Sequence, residues 1–175
     1  DRSCLQFFNS TVAPSIMEFY PEVGVKRDVN SKPDAENYAL RGLLSVRYTL
    51  AAKDKEAEWT DKALPGWRRT GETTAYAIYE NENWVPMGFA FDYYVTADQL
   101  DRVNEDERAQ ILCRAVLLDE DQISAFGGIL QPLPDEELTN RSEDAYAADC
   151  VARRDAGVAE FAATRTGFTA RTNYA

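Results

Sequence analysis

Side chains able to grip a sugar are the chemistry most visible in this chain. Trp59, Trp67, Trp84 and Tyr94 offer flat aromatic faces with a polar edge, a shape that suits a sugar ring. Arg41 adds a guanidinium fork for a phosphate or an acidic sugar, and Arg47 shares that chemistry. Trp59 and Trp67 fall in turn-rich segments, where a ring can stay accessible. The same types also have a plainer use: indoles fill cores and loops, and an arginine beside a strand in an acidic chain meets carboxylates. Trp59, Trp67, Trp84, Tyr94 and Arg41 are the candidate glycan contacts.

Much other chemistry is closed to the chain. It holds no histidine, which removes the usual general base, the usual zinc ligand and every Ser-His or Cys-His arrangement. Cys4, Cys113 and Cys150 lie far apart without C-x-x-C spacing, and their odd number argues against a disulfide framework. Cys113 sits among apolar helical positions and reads as a small buried hydrophobe. Two carboxylates can cleave a glycoside without histidine, but spacing does not pair candidates such as Asp92 and Glu80. The acidic clusters at 105–107, 119–121 and 135–137 adjoin expected helix ends and read as solvated partners of helix dipoles. No calcium loop with its central glycine appears, and Gly127-Gly128 and Gly66 lack the strand-to-helix context of a phosphate loop. The residues thus imply no catalytic group, no metal and no cofactor.

Those side chains need a folded body to position them. The chain has 175 residues, 45% hydrophobic and 11% aromatic, enough for one core and too apolar for disorder. Thirty acidic against nineteen basic residues give a formal charge of −11, which repels phosphate backbones and excludes nucleic acid as a partner. No stretch approaches the ~18 consecutive apolar residues that would span a bilayer. Asp1 and Tyr174-Ala175 look like cuts in a longer protein, so residues 1–175 are expected to be one soluble domain of it.

Periodicity gives the elements. Pro14 opens a short helix that Pro21 closes, and Asp34 is placed to cap a second running through Tyr38, Leu40 and Leu43. Val46 to Ala51 reads as a strand, Lys53 to Lys62 as a loop or one exposed turn, and Pro65-Gly66 as the centre of a type II turn. Gly71-Glu72 suggests a hairpin turn between Trp67–Thr70 and Thr74–Tyr79. Met87 to Val95 alternates cleanly and reads as one strand. Thr96 with Gln99, and Asn104 with Glu107, resemble capping boxes, the second leading a helix with Ile111, Leu112, Ala115 and Val116 on one stripe. Ser142 is placed to cap a helix carrying Tyr146, Val151, Val158 and Phe161, and 168–174 returns to a sheet. The fold class is α+β, with a mainly antiparallel sheet and helices packed on one face; parallel units are not expected, because the connections look too short for crossovers.

Three stretches carry a resemblance: Phe8 to Tyr20 (FNSTVAPSIMEFY), Tyr38 to Tyr48 (YALRGLLSVRY) and Ile78 to Phe89 (IYENENWVPMGF). In this order and spacing, over roughly residues 8–125, they resemble the bacterial membrane protein YfhO family. The resemblance implies a multi-pass parent related to GT-C glycosyltransferases, which use lipid-linked sugars at the outer membrane face. Some members are implicated in glycosylating cell-wall polymers such as lipoteichoic acid. The loop that bears the catalytic carboxylate in that pattern is absent here, so no catalytic residue carries over. What remains is expected to be an extracytoplasmic domain, anchored by transmembrane segments outside residues 1–175.

Two roles follow. In one, the domain holds or orients an acceptor glycan, a cell-wall polymer or lipid-linked sugar, for its parent. In the other it is a structural module that packs against the rest of the same membrane protein and has no ligand. The residues of the motifs themselves suit fold maintenance: Pro86 and Gly88 set backbone geometry whether or not a ligand is present.

Overall fold

The computed structural model describes residues 14–26, 36–57, 64–139 and 141–174. Helix α1, Pro14–Glu22, starts on a proline whose missing N–H and fixed φ suit a first turn, and it carries Pro21 in its last. Helix α2, Tyr38–Leu43, is capped by Asn37, whose side chain accepts the Leu40 N–H at 3.2 Å. The cap assigned to Asp34 lies outside the described residues.

Strands β1, Tyr48–Ala52, β2, Trp67–Glu72, and β3, Tyr76–Asn81, form an antiparallel sheet with β3 in the centre. The turn into β2 is as expected: Gly66 has φ +76° and the Trp67 N–H donates to the Leu64 carbonyl at 3.2 Å, which makes Pro65-Gly66 a type II centre. The β2–β3 hairpin differs from expectation. Gly71 lies inside β2, where the register shifts, and the chain reverses over Thr73–Ala75. Thr73 supplies the reason, because its hydroxyl accepts the Tyr76 N–H at 3.0 Å and stabilises the turn there.

A second sheet is parallel. Its central strand β4, Tyr93–Val95, pairs with β5, Ala115–Leu117, on one side and β6, Gln131–Pro132, on the other. Helices α3, Ala97–Leu100, and α4, Arg108–Arg114, make the first crossover, and α5, Glu120–Phe126, makes the second. The expectation of no parallel units fails because Ala115 and Val116 leave the helix: Ala115 is extended, at φ −137° and ψ 149°, and begins a strand. The capping boxes that form are Thr96/Gln99 on α3 and Asp119/Gln122 on α5. Asn104 caps nothing through its side chain, and α4 starts at Arg108. The fold is α+β, with its five longer strands antiparallel, in two sheets, and three short ones parallel.

Only Tyr93–Val95 of the long alternating run joins this ladder. Residues 87–92 are taken up otherwise: Gly88 sits at φ +105°, Phe89 bridges to Gly157, and the rings of Phe89 and Phe91 meet edge-on at 5.0 Å. Helix α6, Glu143–Asp155, is capped by the Ser142 hydroxyl, as expected. It stops short of Val158 and Phe161, which belong to strand β7, Val158–Ala163, paired antiparallel with β8, Phe168–Thr172. A Cβ on Gly157 would lie 2.6 Å from Pro86, so glycine suits this close approach just past the end of α6.

The core joins both halves. Leu40 of α2, Val95 and Ala115 of the parallel sheet, Ile111 and Cys113 of α4, and Tyr146 and Cys150 of α6 all pack in one buried cluster. A side chain such as Leu40 or Ile111 contributes about 1.5–3 kcal/mol by its burial. Cys113 is the small buried group its neighbours implied, and it meets the Cys150 thiol across α4 and α6. The hydrogen bond with that partner, and then burial, push the Cys113 thiol upward.

Candidate functional site

Two arginine–tryptophan stacks stand at the junction of α2, β1, β2 and β3. Arg41, in the last turn of α2, lies 5.3 Å from the centre of the Trp67 ring and donates from Nη2 to the Thr49 hydroxyl at 2.8 Å. Arg47, just before β1, lies 5.2 Å from the Trp84 ring and equally close to that of Tyr48. Arg47 also donates from Nε and Nη2 to Glu80 Oε1, at 3.2 and 3.1 Å. Glu80 takes the Tyr48 hydroxyl as well, and Arg68 approaches its other oxygen at 3.7 Å. Both indoles are half-buried. A guanidinium over an indole face contributes about 0.5–1 kcal/mol where solvent reaches it.

The local sequence builds this junction through backbone bonds. After α2 the chain closes in a left-handed turn: the Val46 N–H donates to the Arg41 carbonyl at 2.9 Å and the Ser45 N–H to Gly42 at 3.0 Å, with Ser45 at φ +61°. Asn81, at the end of β3, is buried; its Nδ2 donates to the Val46 carbonyl and its Oδ1 accepts the Asn83 N–H. The Val85 N–H donates to Gly42 and the Glu82 N–H to Gly66. Asn81 and Asn83 of the polar run therefore face inward, and the Asn81 side chain together with the Glu82 and Val85 backbone forms a clasp that ties this segment to 42–46 and to Gly66.

Helix α6 locks the clasp from the other side. Arg154 Nη1 donates to the carbonyls of Glu82 and Trp84, at 2.8 and 2.7 Å. Arg153, 2% exposed, donates to the Ala90 carbonyl, reaches Asp92 at 3.5 Å and lies over Phe91. Beside it Asp149 is gripped by Arg141, with Arg114 at 3.8 Å. Burial pushes the Asp149 carboxyl upward, against the pull of those guanidiniums. None of these arginines is legible in sequence as a site residue. The one signal, for Arg114, Arg153 and Arg154, is basic charge in the last turn of a helix, which is more often a dipole partner.

The candidates thus separate. Arg41 stacks on Trp67, and Trp84 is covered by Arg47 in a second stack. Tyr94 does not join them: it is half-buried in the middle strand of the parallel sheet, with its carbonyl accepting the Leu133 N–H at 2.8 Å. Trp59 lies outside the described residues. Arg47 belongs with the ion-pair reading, as its bond to Glu80 shows, while it also covers an indole. Asp92 and Glu80 belong to separate networks, Asp92 with Tyr174 and Arg153, Glu80 with Arg47, Tyr48 and Arg68. Among the described residues no group of carboxylates and thiols is arranged to hold a metal ion.

Among the described residues, two larger clefts lie elsewhere. One of 530 Å³ is bounded by Lys26, Glu36, Asn37, Tyr38, Asp106 and Gln110, and an open one of 600 Å³ by Arg114, Glu137, Arg141 and Asp149. Neither is lined by a candidate aromatic or by Arg41.

Among the described residues no helix is long and apolar enough to cross a membrane. No curated protein and no solved structure matches the chain. The model of one family, described as bacterial membrane protein YfhO, matches residues 3–147, a span that holds both arginine–tryptophan stacks and the Asn81 clasp. With most of its length matched in this way, the chain belongs to the YfhO family of bacterial membrane proteins.

Proposed function

We propose that this chain is a non-catalytic, extracytoplasmic part of a membrane protein that takes part in glycosylating cell-wall polymers of the lipoteichoic acid class. It holds the acceptor glycan at the junction of Arg41, Trp67, Arg47 and Trp84. The observation that carries this reading is the presence of two guanidinium–indole stacks, Arg41 on Trp67 and Arg47 on Trp84, flanking one antiparallel sheet in an otherwise acidic chain. A polyol-phosphate or sugar-phosphate strand presents apolar ring or carbon faces and anionic oxygens in alternation, which matches ring and fork in turn. The lipid-linked sugar and the catalytic carboxylate belong, in this reading, to the membrane-embedded part of the parent.

The test is an NMR titration of the indole N–H signals with glycerol-phosphate oligomers. Trp67 and Trp84 are expected to shift together, with the response lost in Arg47→Ala and weakened in Arg41→Ala. Trp59 serves as a third reporter. Indole signals that stay in place through millimolar oligomer would remove the basis of the reading.

A second reading, a module that packs against the rest of the same membrane protein, is favoured by one face of the antiparallel sheet. Tyr48, Leu50 and Tyr76 share that face through the pairings Tyr48–Glu80, Leu50–Ile78 and Ala52–Tyr76, and all three are exposed. Neighbouring apolar side chains on one uncovered sheet face are what a docking surface requires.

A further inference from the structure

The closing hairpin has the pattern of an element that covers a core, yet it covers none. In β7 and β8, Phe161 faces Ala170 and Ala163 faces Phe168, which puts these four apolar residues on one face. The opposite face pairs Glu160 with Arg171, joined by a 2.6 Å ion pair, and Ala162 with Thr169. The two phenylalanine rings stack at 5.4 Å and are 66% and 67% exposed. No residue of either strand belongs to the buried cluster. The hairpin is held at its base, by the Val158 N–H on the Gly88 carbonyl and the Tyr174 hydroxyl on Asp92.

Its charge also departs from the rest of the chain. Residues 158–174 hold one acid, Glu160, and two arginines, whereas the whole chain carries −11. Because Arg171 is neutralised by Glu160, the uncompensated charge is Arg165, at the turn and next to the phenylalanine face.

We infer that this hairpin is an interfacial anchor: Phe161 and Phe168 seat at the acyl boundary of an anionic phospholipid surface while Arg165 meets lipid phosphate. Three observations select a lipid surface. The chain belongs to a membrane-protein family, so a bilayer is its neighbour. A cation at the tip of an aromatic face complements an anionic surface that repels the remaining acidic body, which orients the hairpin tip-first. Both outer edges of this two-stranded sheet leave backbone groups without a strand partner, which water satisfies at headgroup depth and hydrocarbon would not.

The experiment is co-sedimentation of the 175-residue chain with vesicles of phosphatidylcholine alone and of equal parts phosphatidylcholine and phosphatidylglycerol. The chain is expected to pellet with the mixed vesicles. The double variant Phe161→Ser/Phe168→Ser should lower binding by at least about tenfold, as loss of two buried rings implies, with its melting unchanged because both rings are exposed in the free chain. Arg165→Glu should weaken binding to mixed vesicles and leave the phosphatidylcholine arm as it was. In Phe161→Trp the new indole emission should move to shorter wavelength on adding mixed vesicles. A chain that stays in the supernatant, or a double variant that binds like the parent, overturns the inference. So does a concentration-dependent dimer abolished by the double variant without vesicle binding, which would assign the face to a second copy.

Discussion

Ser45 is, among the described residues, the non-glycine position with positive φ, and it lies inside the LLSVRY stretch that carries the family resemblance. Its left-handed turn lets the Val46 N–H reach back to Arg41 and positions Arg47 over Trp84. A side chain in that conformation costs on the order of 1 kcal/mol, a cost glycine escapes. Ser45→Gly is therefore expected to raise unfolding free energy by about 0.5–1 kcal/mol, less what glycine gains in unfolded-state freedom, in urea denaturation. A loss of stability there would show that the serine hydroxyl, and not the turn, is what the position requires. Spacing identified the turn formers Pro65 and Gly66, since their chemistry is local, but offered no sign of Ser45, whose φ is imposed by the bonds on either side.

Between elements, the tie from α3 to the 3-10 turn at Asp135–Glu137 is ionic. Arg102 donates both Nη groups to Asp135, each at 2.8 Å, and Gln99 adds a third bond at 2.9 Å. The guanidinium beside Asp135 lowers its carboxyl from the usual 3.8 to about 2. A group depressed in the fold contributes stability that is fully present above its unfolded value and is lost as pH falls through the folded one. The contribution of Asp135 is thus expected to fade between about pH 4 and pH 2. Asp149, whose carboxyl burial raises, works with the opposite sign: the fold holds its proton more tightly, so it favours the native state increasingly as pH falls toward 3.8. Urea midpoints measured through this acid range should converge for the parent and Asp135→Asn as pH drops, from a gap that is small because both partners are exposed. A gap that widens toward low pH would contradict the assignment. At this scale sequence reading named the caps on Thr96 and Ser142, where one side chain meets a backbone three residues on. It missed the parallel sheet because the Ala-Val-Leu run of β5 fits a helix stripe and a buried strand equally well.

Taken as a whole, the molecule divides into a buried body and an appended hairpin. Residues of the buried cluster run from Tyr20 to Cys150, and the hairpin lies beyond them. Deleting 158–174 is therefore expected to leave a cooperative urea transition with a midpoint close to that of the parent, because no core side chain is removed. Loss of cooperativity would mean that the base contacts at Gly88 and Asp92 hold the body together, and would recast the hairpin as structural. The same division bears on function: the two arginine–tryptophan stacks sit in the part matched by the family, and the proposed lipid-facing rings sit outside the matched residues 3–147.

Composition and local pattern alone determined that this chain carries no histidine and a formal charge of −11, mixes helix with strand and bears the motifs of its family, because each of these depends on residue type or on near neighbours. Tertiary structure decided that Arg41 meets Trp67 and Arg47 meets Trp84 while Tyr94 stands apart, and that Arg153 and Arg154 reach from α6 to clasp a loop some seventy residues earlier in the chain. Contacts of that separation are set by how the sheets and helices pack around one core, and no spacing along the chain encodes them.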